Sequence, residues 1–528
     1  MTAQPTASDR QRDASDPRNS AWVNANAGSG KTRVLVDRVI RLLLDGAEPS
    51  KIMCLTFTKA AAAEMSNRLF ERLSAWVVLP ELELRAQLTE LGVDDGDPAT
   101  LRRARRLFTR ALETPGGLKI QTIHAFCERV LQAFPVEAGV VPRFAVLDER
   151  GQRDLLLAAR GEVLDEALKQ PADDLGLAVA DVVRRVQPDG FDALMQQLLS
   201  RRAELFGLLA TADGVDAVMT VLRAHLGIDP AQTAQQARSG LGLDLPRYRD
   251  IADALATGST SDRKSLDQLA PVLLRPTPNL LDLQTFYLTQ KGEARSRMAT
   301  NAVLARLPWL AGFAAGEQQR LLAALGLLAD LERLAATRAL LILAGAVMRR
   351  FEAAKRRQGA YDFDDLIIRT AELLATRSDA QWVLFKLDGG IEHLLVDEAQ
   401  DTSPAQWRIV TALTQEFFAG AGRHGEKRRT IFAVGDRKQS IYSFQGADPD
   451  IFAEVQKAFA QRLGEAGQRL RDVDFTVSFR SAPEILQAVD KVFAPDAVAR
   501  RGLDGAATRD WVHESNRRAI RGMVEIWP

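Results

Sequence analysis

The chain has 528 residues, with 69 Lys plus Arg against 69 Asp plus Glu, 46% hydrophobic residues and 26% charged residues. At roughly 150 residues per domain this length suggests about three to four domains, and the composition excludes a largely disordered chain. A formal net charge of zero excludes a global pull toward nucleic acid or anionic membrane, so any polyanion site must be local.

In chain order, residues 1–19 are polar, rich in Ser, Asp and Arg, and read as a loose arm without a basic-then-apolar signal pattern. Short apolar or β-branched runs follow at Ala21–Ala25 and Lys51–Thr58, and a further strand is read at Lys119–Gln121, before a helix starting near Thr122. From about Asp148 to Met348 the texture changes to Leu, Ala, Arg, Asp and Gln at helical spacing, broken at Pro230, Pro246 and Pro276. This predicts an α-helical insertion whose Leu/Ala stripes form core. Strand patterns resume at His393–Asp397 and Thr430–Gly435, so the first domain is discontinuous. Asp472–Ser478 and Gly522–Trp527 read as strands of a further domain. Strands alternating with helices predict an α/β fold with a parallel sheet. No run of about 18 apolar residues argues for a membrane span, and a cytoplasmic protein is expected. Cys54 and Cys127 lie in apolar surroundings and read as small buried hydrophobes. The five His are scattered, without zinc-ligand spacing.

Ala25–Thr32, ANAGSGKT, stands between a strand and a helix, the context a phosphate-binding P-loop requires. Small residues let backbone N–H groups curl around phosphate oxygens at a positively polarised helix N-terminus. Asn26, Ala27, Gly28, Ser29 and Gly30 would form the cradle. Lys31 would reach the β- and γ-phosphates, and Thr32 would offer its hydroxyl to Mg²⁺. Ala25 occupies the place of the usual first Gly, and a plain Gly-rich turn is the competing reading. Leu394–Asp401, LLVDEAQD, delivers two adjacent carboxylates at a strand end, where open α/β sheets bind ligands. Asp397 suits a Mg²⁺ ligand and Glu398 suits orienting or deprotonating water, against the alternative of a solvated turn. Three aspartates in Tyr361–Leu366, YDFDDL, invite a metal reading, but a structural or coupling role is favoured. The basic, Gly-rich Gly420–Arg429 reads as a surface loop more than as a DNA or partner contact.

The ordered series ANAGSGKT, LTFTKAAAAEM, IQTIHAFC, YDFDDLI, LLVDEAQDTSPAQW, FAVGDRKQSIYSFQGADP and FTVSFRSAPEIL resembles the UvrD/Rep-like superfamily 1 DNA helicases. Within them it is most similar to the RecB and AddA branch of double-strand-break repair helicase–nucleases, of the alphaproteobacterial AddA type. The resemblance implies a RecA-like motor domain at 20–147 and 349–450. It further implies the start of a second RecA-like domain at 451–528 and an adenine-reading Gln11 in the arm at 1–19, whereas the helical insertion, read from its texture at 148–348, matches none of these motifs. It implies ATP and Mg²⁺ as cofactors, and 3′ to 5′ translocation on single-stranded DNA with unwinding of double-stranded DNA. The implied partner is an AddB-type chain, in a heterodimer. Gln439 would sense the γ-phosphate, Arg480 would contact it, and Phe479 would stack on adenine where many relatives have Tyr.

Thr56, Phe57 and Thr58, Thr122 and His124, and Tyr442 and Phe444 match family segments that line the strand; His124 alternatively reads as a core histidine. Gln445 stands where many relatives carry Arg, and Lys59 follows Thr58 where the UvrD type has Asn-Lys. The later motor motifs and a C-terminal nuclease site have no counterpart, so a C-terminally truncated chain is expected. A UvrD-type repair helicase and a non-catalytic nucleotide- or DNA-binding fragment are the alternatives.

Overall fold

The computed structural model describes residues 6–93, 97–211, 214–239, 241–274, 279–375, 382–384, 386–387, 391–418, 428–440, 449–494, 513–525 and 527. Its strands are β1 (Ala21–Ala25), β2 (Ile52–Thr56), β3 (Lys119–Thr122), β4 (Ala145–Val146), β5 (Ala360–Tyr361), β6 (His393–Val396), β7 (Thr430–Gly435), β8 (Arg471–Phe475), β9 (Val477–Ser478) and β10 (Glu514–Ser515). Six of these form one sheet in the order β3–β2–β6–β7–β1–β8, parallel throughout. Parallel neighbours require crossovers, and the crossover helices cover both faces. Side chains therefore alternate between two cores. Trp22, Met53, Leu394, Val396 and Ile431 pack with Phe126, Leu366, Trp407 and Phe452 on one face. Val23, Cys54, Leu395, Phe432 and Val473 pack on the other with Val39, Leu69 and Leu107. Both cysteines are free and buried, and burial pushes both thiols up, that of Cys127 to about 12.

The helices that matter for the site are α1 (Ala7–Ala14), α2 (Lys31–Leu44) and α3 (Lys59–Val78), followed by α4 (Glu81–Glu90), α5 (Pro98–Leu112) and α6 (Ile123–Ala133). Helices α2, α3 and α6 follow strands β1, β2 and β3, so their N-termini gather along one sheet edge. Thr58 caps α3 and Thr122 caps α6, each hydroxyl accepting from a backbone N–H of the first turn at 3.1 Å.

The structure departs from the expected organisation in four places. Residues 7–14 are not a loose arm but a helix, opened by a Thr6/Asp9 capping box and carrying buried Gln11 and Ala14. Polar contacts hold this region: Arg41 donates to Arg12 O at 2.5 Å and Ser15 Oγ at 2.8 Å, and buried Arg38 donates to Asn19 O at 2.6 Å. Apolar patterning could not reveal such docking. Second, the expected boundary at 451 moves. The helix Pro449–Glu465 buries Phe452, Phe459 and Leu463 against the first sheet, and β8 pairs with β1 from Ala21↔Arg471 to Ala25↔Phe475. Residues 449–475 thus complete the first α/β domain. Third, Gly522–Glu525 forms no strand; Met523 and Val524 stay exposed, and the short strand is instead β10, parallel to β9. Fourth, the helical insertion separates as Arg153–Ala354, against an expected 148–348.

That second unit has its own cores. Tyr248, Ile251, Leu269 and Phe286 form one, Val163, Val182 and Val347 another, and Val218 and Met219 a third. The 49-residue helix Leu310–Gln358 contributes to each of them, through Leu321, Val347 and Leu334.

Candidate functional site

Because the six strands are parallel, the segments leaving β1, β6, β7 and β8 meet at one edge, where open α/β sheets hold ligands. After β1 the chain turns through Asn26–Gly30 into α2. Asn26 N donates to Phe475 O at 3.1 Å and Phe479 N donates to Gly28 O at 2.8 Å, tying the loop to the segment after β8. Gly28 (φ +73°) and Gly30 (φ +92°) take left-handed conformations that favour glycine. A Cβ on Gly28 would lie 2.6 Å from Arg480 Cβ and 2.9 Å from Ser478 Oγ. Ala25 needs no such freedom: it is the last residue of β1, in register with Phe475. The departure from the usual Gly is therefore sterically harmless.

Lys31 opens α2, and its Nζ lies 2.6 Å from Glu398 Oε2. Glu398 holds a left-handed φ of +46°, a conformation costly for a non-glycine residue. Asp397 is buried. Burial, then the charge of Glu398, push its carboxyl up to about 7, while Lys31 and the Glu398 backbone N–H, donating at 3.0 Å, pull the other way. Gln400 organises the acidic tip: its amide donates to Glu398 Oε2 at 2.9 Å and Asp401 Oδ2 at 3.0 Å, and its carbonyl accepts from Asp436 N at 2.8 Å. Gln439 donates to Asp436 Oδ2 at 2.7 Å, and Lys438 donates to Asn26 Oδ1 of the loop. The ends of β6 and β7 and the loop after β1 thus form one polar network.

Around them opens a cleft of about 550 Å³, bordered by Gly28, Gly30, Lys31, Thr32, Asp397, Glu398, Gln439, Phe479 and Arg480. The structure places on one cleft all five residues expected to be catalytic: Lys31, Asp397, Glu398, Gln439 and Arg480. Thr32 and Asp397 present oxygen donors to the same cleft, a set suited to a hard divalent cation. Beside it, Gln11, Arg10, Ser29, Phe475 and Phe479 line a second, small cavity, with the Gln11 amide donating to Ser29 O at 3.0 Å.

The residues expected to touch a nucleic-acid strand divide. Thr58 is exposed and Phe57 half-buried at the end of β2, and His124 is half-buried at the start of α6. The His124 ring meets Phe363 edge-on at 5.4 Å, and burial lowers its pKa. Thr56 and Thr122 are buried, the former donating to Thr58 O at 3.0 Å. Tyr442, Phe444 and Gln445 lie outside the described residues, as does nearly all of the Gly420–Arg429 loop. In the YDFDDL motif, Asp362 and Asp365 bind buried Lys355 Nζ at 3.0 and 2.6 Å and cap the helix Phe363–Ala375 reciprocally. These carboxylates are engaged by protein groups. No cluster of three or more metal-ligating side chains occurs among the described residues.

Sequence reasoning missed Gln400, Asp436, Lys438, Arg10 and Arg517. Asp436, directly after a buried strand, carried a readable signal; the others depend on long-range packing. Arg10 donates to Asp474 O at 3.3 Å and Thr476 Oγ1 at 3.2 Å. Arg517 borders the main cleft.

Curated relatives include an ATP-dependent helicase/nuclease subunit of Exiguobacterium sibiricum, 27% identical over 94% of this chain and 41% of that protein. Relatives of the same name from Syntrophomonas wolfei and Bacillus licheniformis are each 28% identical, over 92% and 89% of this chain and 37% and 38% of theirs. The chain thus spans about two fifths of the length of these relatives. The family model described as UvrD/REP helicase N-terminal domain matches residues 7–240 and 248–460, a span that includes the loop after β1, the acidic tip of β6 and the network joining them. The chain belongs to the UvrD/REP helicase family.

Proposed function

We propose that this chain is the ATP-hydrolysing motor portion of an AddA-type DNA helicase that works in double-strand-break repair. The observation that carries the reading is the Lys31–Glu398 contact of 2.6 Å beside buried Asp397, inside a cleft edged by a glycine loop and Arg480. Backbone N–H groups of the loop and the N-terminus of α2 would cradle the phosphates, with Lys31 on the β- and γ-phosphates. Thr32 and Asp397 would hold Mg²⁺, which when bound neutralises phosphate charge. Glu398 would exchange its contact with Lys31 for the attacking water, and Arg480 would stabilise charge on the transferred phosphoryl group. Gln439 would report the γ-phosphate to the segment that follows β7. Gln11 and Phe479, flanking the small second cavity, would select the adenine base.

Phe57, Thr58 and His124 would carry single-stranded DNA along the same sheet edge, with buried Thr56 and Thr122 supporting them, and Tyr442 and Phe444 would contact the same DNA. Stacking on aromatic rings contributes about 1–3 kcal/mol per base and does not depend on net charge. The names of the relatives describe one subunit of a helicase/nuclease. That wording supports a partner chain, taken as AddB-type, and a nuclease function for the whole protein. Movement from 3′ to 5′ and a cytoplasmic location belong to the same reading.

The test is ATP turnover with and without single-stranded DNA. Lys31→Ala should lose nucleotide binding. Glu398→Gln should keep it and lose turnover by roughly 10²–10⁴-fold, the range of general acid–base effects. DNA-independent turnover, or full activity in the Glu398 variant, would overturn the assignment.

A further inference from the structure

Five cations border the main cleft: Lys31, Arg33, Arg68, Arg480 and Arg517. Three of them are neutralised by the protein's own carboxylates. Lys31 pairs with Glu398 at 2.6 Å, Arg68 with Glu64 at 2.5 Å, and Arg33 with Asp37 at 3.7 Å and with Glu90. Among the described residues no carboxylate pairs with the guanidinium of Arg480 or of Arg517. Two guanidinium groups without an ion-pair partner, at the border of a nucleotide-sized cleft, are available to phosphate oxygens.

Arg480 is already accounted for by the motif it stands in. Arg517 is not, and its position is built by tertiary contacts. Strand β10 pairs in parallel with β9, with Glu514 N donating to Thr476 O at 3.1 Å and Asn516 N to Ser478 O at 2.9 Å. Ser515 Oγ donates to Ser481 O at 2.7 Å and accepts from Arg517 N at 2.9 Å. One residue ahead of β10, His513 is held by Asp490 through both its backbone and its ring, and its Nε2 lies 3.3 Å from the Lys438 ammonium that reaches Asn26. The segment from His513 to Arg517 is therefore fastened to β9, to the helix Pro483–Val492 and to the loop network, which fixes the backbone that carries Arg517 at the cleft.

We propose that Arg517 is a further nucleotide-contacting residue, binding the polyphosphate of the nucleotide beside Arg480. This inference rests on the reading of the cleft as a nucleoside triphosphate site. A planar guanidinium fork suits phosphate oxygens better than an ammonium does, so lysine substitutes incompletely. The interaction scales with phosphate number and is absent from the base.

The test measures binding of MgATP, MgADP and AMP by the whole chain, for wild type, Arg517→Ala, Arg517→Lys and Lys31→Ala. Arg517→Ala should weaken MgATP binding by about tenfold, the loss expected for one charge-assisted contact, and leave AMP binding within about twofold. Arg517→Lys should recover part of that loss, and thermal unfolding should be unchanged because the residue is exposed. If wild type binds MgATP, Lys31→Ala does not, and Arg517→Ala binds as wild type, the Arg517 inference is wrong while the nucleotide site stands. Equal weakening for MgATP and AMP would mark a general distortion and also overturn it. If wild type binds no nucleotide, both readings fall.

Discussion

Asp397 shows how a single residue can be tuned by its neighbours. Its carboxyl is raised from 3.8 to about 7, first by burial and then by Glu398. Between those values the folded protein holds a proton that the unfolded chain has released, so stability falls as pH rises through this window. Above about pH 7 the cost is fully present, and below about pH 4 it vanishes. Asp397→Asn should therefore stabilise the nucleotide-free protein at pH 8, on the order of 2 kcal/mol, and do nothing at pH 4. Urea unfolding at the two pH values reads this directly, and an equal gain at both would contradict it. Glu398 carries a different burden, a left-handed backbone kept where its side chain meets Lys31 and Gln400. Strain of this kind persists only where surrounding contacts over-determine it.

At the scale of elements, the loop after β1 and the segment after β8 are pressed together. The Gly28 φ of +73° and the 2.6 Å approach to Arg480 Cβ leave no room for a methyl group. Gly28→Ala should destabilise the protein by about 1–3 kcal/mol and weaken nucleotide binding through displaced Phe479 and Arg480. Chemical denaturation with a nucleotide titration checks both, and an unaltered variant would refute the close packing. The start of the helix Phe363–Ala375 depends on charge. Lys355 is 2% exposed and Asp362 1%, so Lys355→Met strands buried carboxylates at a cost of about 3–5 kcal/mol. Adding Asp362→Asn and Asp365→Asn to that variant should restore part of the stability. A triple variant as unstable as the single one would show that packing, not charge, was lost.

Considered as a whole molecule, the chain has two sets of cores. The helical unit buries Tyr248, Leu269, Val182, Val347 and Met219 in clusters of its own. A fragment spanning 149–358, from the start of the helix Glu149–Lys169 to the end of Leu310–Gln358, should fold alone and melt cooperatively by circular dichroism. A gradual, non-cooperative melt would show that these cores need the rest of the chain. The zero net charge also acquires a definite meaning at this scale. Arg480 and Arg517, without an ion-pair partner among the described residues, place charge locally at the cleft edge, and the surface expected to follow DNA offers Phe57, Thr58 and His124 beside Lys59.

Local chemistry was legible in the residues themselves. Mostly apolar runs of four to six residues marked β1, β2, β6 and β7, because a parallel strand buried on both faces must be almost wholly apolar, whereas β3, Lys119–Thr122, is a half-buried edge strand read from the helix that follows it. ANAGSGKT and the DE pair pointed to the phosphate site proposed here, because left-handed turns demand glycine and a strand end concentrates charge. Helix α1 was hidden because its docking uses Gln11, Arg38 and Arg41 in place of apolar residues. The place of β8 was hidden too, since pairing Ala21 with Arg471 joins residues about 450 positions apart, beyond any local pattern. The sequence by itself determined which side chains are available for the proposed phosphate chemistry and that the apolar runs at β1, β2, β6 and β7 become strands. Only the tertiary structure decided that β8 extends the first sheet beside β1, that Gln400 and Lys438 join the polar network of the strand ends, and that Arg517 borders the cleft. Hydrogen bonds between distant strand edges, and not local propensity, choose those neighbours.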